Sequence, residues 1–218
     1  MTISIVMTAS VVIDPSRTTT ASAVILVAMP RWESDAQGRL ERAALELFET
    51  QGFERTTVAQ IARTAGLTER SFYRYFPDKR EVLFAGHELE AHLVARVEAA
   101  DPGLTPFDAL LTALGTADEV FRSREFLLRR ARVIAASPAL AERDLIKLAA
   151  IAAALTRALE HRGVEPDKAH FIIDVAIAIS RRATSRWLTA PDATLSELIT
   201  QAATELREAV TPQAPTPH

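Results

Sequence analysis

The chain has 218 residues, no cysteine, 25 Lys+Arg against 28 Asp+Glu, and 48% apolar residues. This composition excludes a disordered or collagen-like chain, and the missing cysteines exclude a disulfide scaffold, a Cys-ligated zinc site, an iron–sulfur cluster and a thiol nucleophile. At roughly 150 residues per domain the length predicts one large domain or two small ones, while the net charge of −3 taken alone argues against a nucleic-acid partner.

Residues 1–30 are apolar and rich in Thr, Ser, Val and Ile. A secretory leader needs a basic start and an unbroken apolar run, whereas the first basic residue here is Arg17 and Asp14-Pro15 splits the stretch. Residues 1–30 therefore read as a disordered upstream extension, with Met29 opening the run into the first helix. A flexible arm or short strand is the rival reading. No window holds 18 consecutive apolar residues, so no membrane span and no membrane partner are expected, and the chain is expected in the cytoplasm.

From residue 35 onward the pattern is helical, and no stretch alternates with period two for long enough to make a sheet. The first predicted helix, about Asp35–Thr50, sets Leu40, Ala44, Leu47 and Phe48 on one stripe. Gly52 suits the left-handed position after it, and Phe53 can fold back on Phe48. Thr57 and Gln60 form a capping box for a short helix with Val58, Ile61, Ala62 and Ala65 inward, ended by Gly66. Thr68 caps the next helix, which Pro77 closes, because the residue before a proline resists helical backbone angles. Asp78 and Glu81 read as a second capping box for a long helix running to about Ala100, broken by Asp101-Pro102-Gly103.

Thr105-Pro106 opens another helix, one spans about Asp118–Ala136, and Ser137-Pro138 starts a long one ending near Gly163. Pro166 begins a helix reaching about Leu188. Thr194 and Glu197 box the last, which ends near Val210. The tally is nine helices and no strand, an all-α chain. It divides into a three-helix helix-turn-helix domain over 31–80, a larger helical domain over 81–211, and a disordered tail over 212–218.

Chemistry concentrates between Gly38 and Phe84. Two short helices around a Gly66 turn have helix-turn-helix geometry, with the second shaped to enter a major groove. Its outward positions are Thr68, Glu69, Arg70, Tyr73 and Arg74, while Leu67, Phe72 and Phe76 face the core. Arg can pair bidentately with guanine, Thr can meet a thymine methyl, and Tyr can reach a base or a phosphate. Lys79 and Arg80 follow in the first turn of the next helix, whose free backbone N–H groups also suit a phosphate.

The run Gly52-Phe-x-x-Thr-Thr-Val-x-x-Ile-Ala-x-x-Ala-Gly-Leu-Thr-x-x-Ser-Phe-Tyr-Arg-Tyr-Phe-x-x-Lys79, followed by Leu83-Phe84, resembles the N-terminal domain of the TetR/AcrR family of transcriptional regulators. The resemblance covers about 50 residues; the rest agrees in length and helix count but matches no motif. It implies a ligand-released homodimeric repressor reading a palindromic double-stranded operator. It implies that Thr57 bonds a phosphate, that Thr68, Glu69, Arg70 and Tyr73 face base edges, and that Tyr75 and Lys79 clamp the backbone with help from Arg74. Glu69 departs from the small or basic residue usual there, and a carboxylate facing anything but cytosine N4 repels phosphate.

In the larger half, Ile146–Leu159 and Phe171–Ile179 are apolar on more than one face, so they must be central or lie at an interface. Ile172, Val175, Ile179, Leu195, Leu198 and Ile199 on the last two helices suit a two-fold four-helix dimer interface, and the family resemblance points the same way. The resemblance also implies a small-molecule effector among the middle helices. Phe107, Leu111, Phe121 and Phe126 supply apolar lining, Arg129 or Arg130 could hold an anionic group, and Trp187 could cap it, so a lipophilic or acidic effector fits.

No enzyme signature emerges. His87-Glu88-Leu-Glu90-Ala-His92 spaces its histidines five apart, off one helical face, so no metal site is expected. No phosphate-binding glycine loop and no Gly-x-Ser-x-Gly elbow occur, and no cofactor is implied. The rival reading is an all-helical ligand-binding or scaffold protein whose helix-turn-helix no longer reads DNA. The charge, finally, divides unevenly. Residues 31–80 carry 9 Lys+Arg against 8 Asp+Glu and residues 81–218 carry 15 against 19, so the acidity belongs to the half not expected to touch DNA.

Overall fold

Nine α-helices and two 3₁₀ turns make up the regular structure of the described residues, and no strand occurs among them. The structure is a computed structural model that describes residues 31–84 and 88–211, the first five by backbone alone. The helices are α1 (Arg31–Gln51), α2 (Val58–Thr64), α3 (Glu69–Tyr75), α4 (Glu88–Glu98), α5 (Pro106–Leu114), α6 (Arg124–Ala135), α7 (Pro138–His161), α8 (Pro166–Thr189) and α9 (Leu195–Val210). The upstream extension and the tail of the sequence reading lie outside the described residues. None of the described helices is long and apolar enough to cross a membrane.

The local signals explain most boundaries. Thr57 and Gln60 make the capping box of α2, and Thr194 and Glu197 that of α9. Gly66 takes φ +67° after α2, where Gly66 N donates to Arg63 O and Leu67 N to Ala62 O at 2.8 Å. This pair of bonds satisfies carbonyls that the helix end would leave bare.

Two predicted helices are each broken. Asp78 Oδ1 does accept from the backbone N–H groups of Arg80 and Glu81, at 2.7 and 3.3 Å, but the segment opens as a 3₁₀ turn, Arg80–Leu83, that ends in a turn at Phe84. Val82, Leu83 and Phe84 are all buried, and an α-helix cannot direct three successive side chains into one small core. The Leu83 carbonyl instead accepts from Arg130 Nε at 2.8 Å. The helix predicted over 118–136 likewise divides into a 3₁₀ turn, Ala117–Glu119, and α6, because Ser123 caps α6 by accepting from Phe126 N.

The buried residues form two cores. One joins α1, α2, α3 and the Arg80–Leu83 turn around Leu40, Ile61, Phe72, Phe76 and Val82, and is completed by Val133 and Ile134 of α6 and Leu140 of α7. The other joins α4, α5, the second half of α7, α8 and α9 around Leu110, Leu159, Ile173, Leu195 and Ile199. Thus the boundary expected at residue 80 is not a boundary of packing: the first core runs on to Phe84 and borrows the α6–α7 corner. The dimer surface proposed from sequence also needs correcting. Ile172, Ile179, Leu195, Leu198 and Ile199 are buried in the second core of a single chain and Val175 packs against it, because α8 and α9 close on each other and on α5.

Charged side chains stitch the two halves together. Arg122 Nη2 donates to Glu41 Oε2 at 2.5 Å, Arg129 grips both carboxylate oxygens of Glu49, and Glu81 is held by Arg143 and Lys147. Glu41 is only 4% exposed. Burial pushes its carboxyl above the ordinary value, against the pull of Gln37 and Arg122. A carboxyl raised by folding binds protons in the native state, so its contribution favours the fold at low pH and is lost as pH rises through the raised value. Urea unfolding midpoints of wild type and Glu41→Gln, taken from about pH 4 to about pH 7, are expected to show a wild-type-minus-variant difference that declines with pH. A pH-independent difference would contradict this role for burial.

Candidate nucleic-acid interface

The turn that orients α2 and α3 is fastened from inside. Thr56, buried, donates to Gly52 O at 2.8 Å and accepts from Gln51 Nε2 at 3.1 Å. Lys79 reaches back across 23 and 26 residues to donate to Thr56 O at 2.9 Å and Phe53 O at 2.7 Å, with its ammonium 4.0 Å from the Phe53 ring centroid. Burial lowers the Lys79 pKa, against the nearby Glu54 carboxylate. Sequence reasoning missed both Thr56 and this inward use of Lys79, since neither contact leaves a local spacing signal.

Phe72 and Phe76 anchor α3, their rings 5.2 Å apart within the first core. The opposite face carries Thr68, Glu69, Arg70, Tyr73 and Arg74, all exposed, with Tyr73 55% exposed although its ring meets Phe72 edge-on at 5.6 Å. Thr68 caps α3 by accepting from Ser71 N at 3.2 Å. Glu69 and Arg70 form no side-chain hydrogen bond or ion pair with another described residue. Tyr75 is half-buried; its hydroxyl accepts from Arg74 at 2.6 Å, and the Arg74 guanidinium lies 4.8 Å from its ring. The structure therefore leaves six of the eight predicted contact residues exposed, at the start of α2 and along α3, with Tyr75 half-buried and Lys79 turned partly inward.

Two details differ from expectation. The Thr57 hydroxyl donates to Gln60 Oε1 and accepts from Gln60 N, both at 3.2 Å, so a phosphate would have to compete for it. The backbone N–H groups expected to meet phosphate at Arg80 and Glu81 are already taken by Asp78. Burial pushes the Asp78 carboxyl up, but hydrogen bonds from the Arg80 side chain and backbone outweigh it and leave it below its ordinary value.

Lys79 has one N–H left after its two carbonyls, and one is enough for a phosphate. Lys79→Met is expected to lower the thermal midpoint through the lost charge-assisted bonds. It is also expected to weaken binding to all duplexes alike, with the salt slope falling by about 0.9. Thermal melts and titrations at two salt concentrations separate the two effects.

The expected effector residues are not gathered around one cavity. Phe107 and Leu111 belong to the second core, whereas Phe126 packs on the first. Arg129 pairs with Glu49, and Arg130 joins Leu83 O, Asp144 and the Phe84 ring, so the predicted anion holders are instead inter-domain ties. Phe121 and Trp187 do meet, ring centroids 5.9 Å apart, beside the guanidinium of Arg124, 4.3 Å from the Trp187 ring. Sequence reasoning passed over Arg124. His87 lies outside the described residues, and among those described no group of three His, Cys, Asp or Glu side chains is placed to hold a metal.

The segment that carries this surface is similar to known proteins. Residues 41–85 match the family model described as bacterial regulatory proteins, tetR family. The HTH-type transcriptional regulator TcmR of Streptomyces glaucescens is 29% identical over 172 residues, covering 73% of this chain and 76% of that protein. Two solved structures share the fold. The SmeT–triclosan complex superposes with a TM-score of 0.54 at 19% identity, over 84% of this chain and 99% of that one. NalD, the secondary repressor of the MexAB-OprM multidrug efflux pump in Pseudomonas aeruginosa, gives 0.54 at 18% identity, over 81% and 95%. Residues 41–85 thus carry the helix-turn-helix domain of the tetR-family bacterial regulatory proteins, and over its described length the chain is similar to TetR-family transcriptional regulators in sequence and fold.

Proposed function

We propose that the chain is a homodimeric repressor that reads a palindromic operator through two copies of α3 and leaves it when a small molecule binds among the middle helices. The observation that carries this reading is the outer face of α3. Glu69 and Arg70 are charged, exposed and unpaired among the described residues, and Tyr73 exposes a large ring beside them. One seven-residue helix covers little of a groove, and a two-fold pair about 34–36 Å apart reads two half-sites. Thr68, Arg70 and Tyr73 face base edges in this reading, Glu69 accepts from cytosine N4, and Thr57, Arg74, Tyr75 and Lys79 hold phosphates.

The effector would enter beside Trp187, whose indole Nε1 is buried without an acceptor among the described residues. A buried donor left unpaired costs roughly 1–3 kcal/mol, so a lipophilic molecule with an oxygen acceptor is stabilised there. Phe121 and Arg124 would flank it, and SmeT, which shares the fold, is known in complex with triclosan. Selection of binding duplexes from a random pool, repeated with and without lipophilic acids, tests the whole reading. It predicts recovery of an inverted repeat whose binding is released by at least one such acid. Recovery of no consensus would favour the scaffold reading.

A further inference from the structure

Glu41 is sealed into α1 at 4% exposure, yet its ion-pair partner comes from the other half of the molecule. Arg122 reaches it at 2.5 Å from the connector 120–123, which joins the Ala117–Glu119 turn to α6. The neighbours of Arg122 hold the opposite side. Phe121 packs its ring on that of Trp187, and Arg124, the first residue of α6, lies over the same indole. Arg124 also donates to the carbonyls of Ala190 and Ala193, both at 2.7 Å. Residues 121–124 thus touch α1 of the reading domain on one side and the α8–α9 corner on the other.

The two halves of this ion pair are unequal. The Arg122 side chain is 55% exposed and that of Glu41 5%, so separating them returns the guanidinium to water and leaves the carboxylate buried. A buried carboxylate without its counter-ion is costly, and a proton relieves it. On α1 itself, Gln37 donates to Glu41 at 3.0 Å and Arg42 attracts it from farther off; both ride on the same helix and stay with it in either charge state. On the other elements packed against α1, Arg63, Glu125 and Arg132 are exposed and Arg80 pairs with Asp78. Arg129 there pairs with Glu49, Arg130 with Asp144, and Glu81 with Arg143 and Lys147. Burial already holds the Glu41 carboxyl above its ordinary value against these attractions.

We propose that Glu41 and Arg122 form a proton-operated latch between the reading domain and the connector, closed when Glu41 is ionised and open when it is protonated. A proton from solvent replaces the ion pair by a neutral carboxyl held by Gln37. Arg122 is then free, and residues 120–123 can move, carrying Phe121 and Arg124 with them. The reading domain keeps its ties through Glu49 and Glu81 but is held less firmly. It binds DNA more weakly, because the freedom it gains must be given up again on the duplex. Acid therefore lowers affinity for DNA, and the latch needs no effector to work.

Trp187 reports the latch from the far side of the connector. Trp32→Phe leaves it the chain's one indole, and emission of the full chain in that background is recorded from about pH 8 to about pH 4.5. With Glu41 and Arg122 in place, the emission is expected to shift to the red as pH falls while far-UV circular dichroism stays constant. Glu41→Gln, neutral at every pH, should show the acid-form emission throughout. Arg122→Met should do the same, and Arg122→Lys should restore the transition. Affinity for a duplex selected from a random pool should fall about fivefold or more across this range in wild type, and by much less in Glu41→Gln. Histidines titrate in the same range, but Glu41→Gln keeps all five, so the difference between the two chains belongs to Glu41.

No emission transition in the parent chain, a transition that Glu41→Gln keeps, or equal losses of DNA affinity in the two chains overturns the proposal. A chain that binds no duplex at any pH overturns the DNA reading instead, and the emission transition still decides the latch.

Discussion

Phe72→Ala is expected to remove about 3–5 kcal/mol of stability, the cost of emptying a fully buried aromatic site, and to abolish DNA binding. Phe72 is completely buried and sits at the centre of the first core, touching Phe76 and Tyr73 by ring contacts and sharing that core with Leu40 and Ile61. Its loss acts on α3 twice, through the missing packing and through the freedom returned to a seven-residue helix that cannot hold itself in water. Against a typical stability of about 5–15 kcal/mol the variant is marginal. Urea unfolding followed by far-UV circular dichroism measures the loss. Phe72→Leu, which keeps most of the volume, should cost about 1–2 kcal/mol and retain binding. A Phe72→Ala chain as stable as wild type would show that α3 is not seated by this ring.

The second large effect falls on recognition and leaves the fold intact. Arg70 is exposed on α3, makes no side-chain bond to another described residue, and lies outside the core, so Arg70→Ala should unfold at the wild-type midpoint. In the proposed complex it reads a base edge, and its loss should cost about 1–3 kcal/mol at one base position, roughly 5- to 150-fold. Discrimination at that position should relax while the other positions keep theirs. Removal of a base contact alters specificity at a nearly constant salt slope, and removal of a phosphate contact alters the slope alike for all sequences.

Much of the fold was legible because its helix ends are written locally. Thr57 with Gln60, Thr194 with Glu197, Gly66 after α2 and Pro166 at the start of α8 each act within four residues, so spacing alone locates them. The outer face of α3 was legible for the same reason, since Phe72 and Phe76 fix which side is buried. What local spacing cannot carry is choice of partner across the chain. Arg129 and Glu49 are 80 residues apart, as nearly are Arg122 and Glu41, and the arginines near α6 read equally well as a solvated face or as ligand anchors. Lys79 is a similar case, its partners 23 and 26 residues upstream. The apolar stripes of α8 and α9 were seen correctly as stripes. A helical period shows that a face must be covered but not by what, and here the same chain covers it. On α7 the opposite holds: the stripe was seen, and the single chain leaves its middle bare.

The central claim is that α3 reads double-stranded DNA by sequence. Its most direct test is fluorescence anisotropy of a duplex selected from a random pool, titrated with wild type and Arg70→Ala at about 50 mM and about 200 mM salt. The account predicts that wild type binds the selected duplex far more tightly than a scrambled one at both salt concentrations, and that Arg70→Ala loses about 5- to 150-fold on the selected duplex alone. Equal wild-type affinity for selected and scrambled duplexes, or wild-type behaviour from Arg70→Ala, would contradict it.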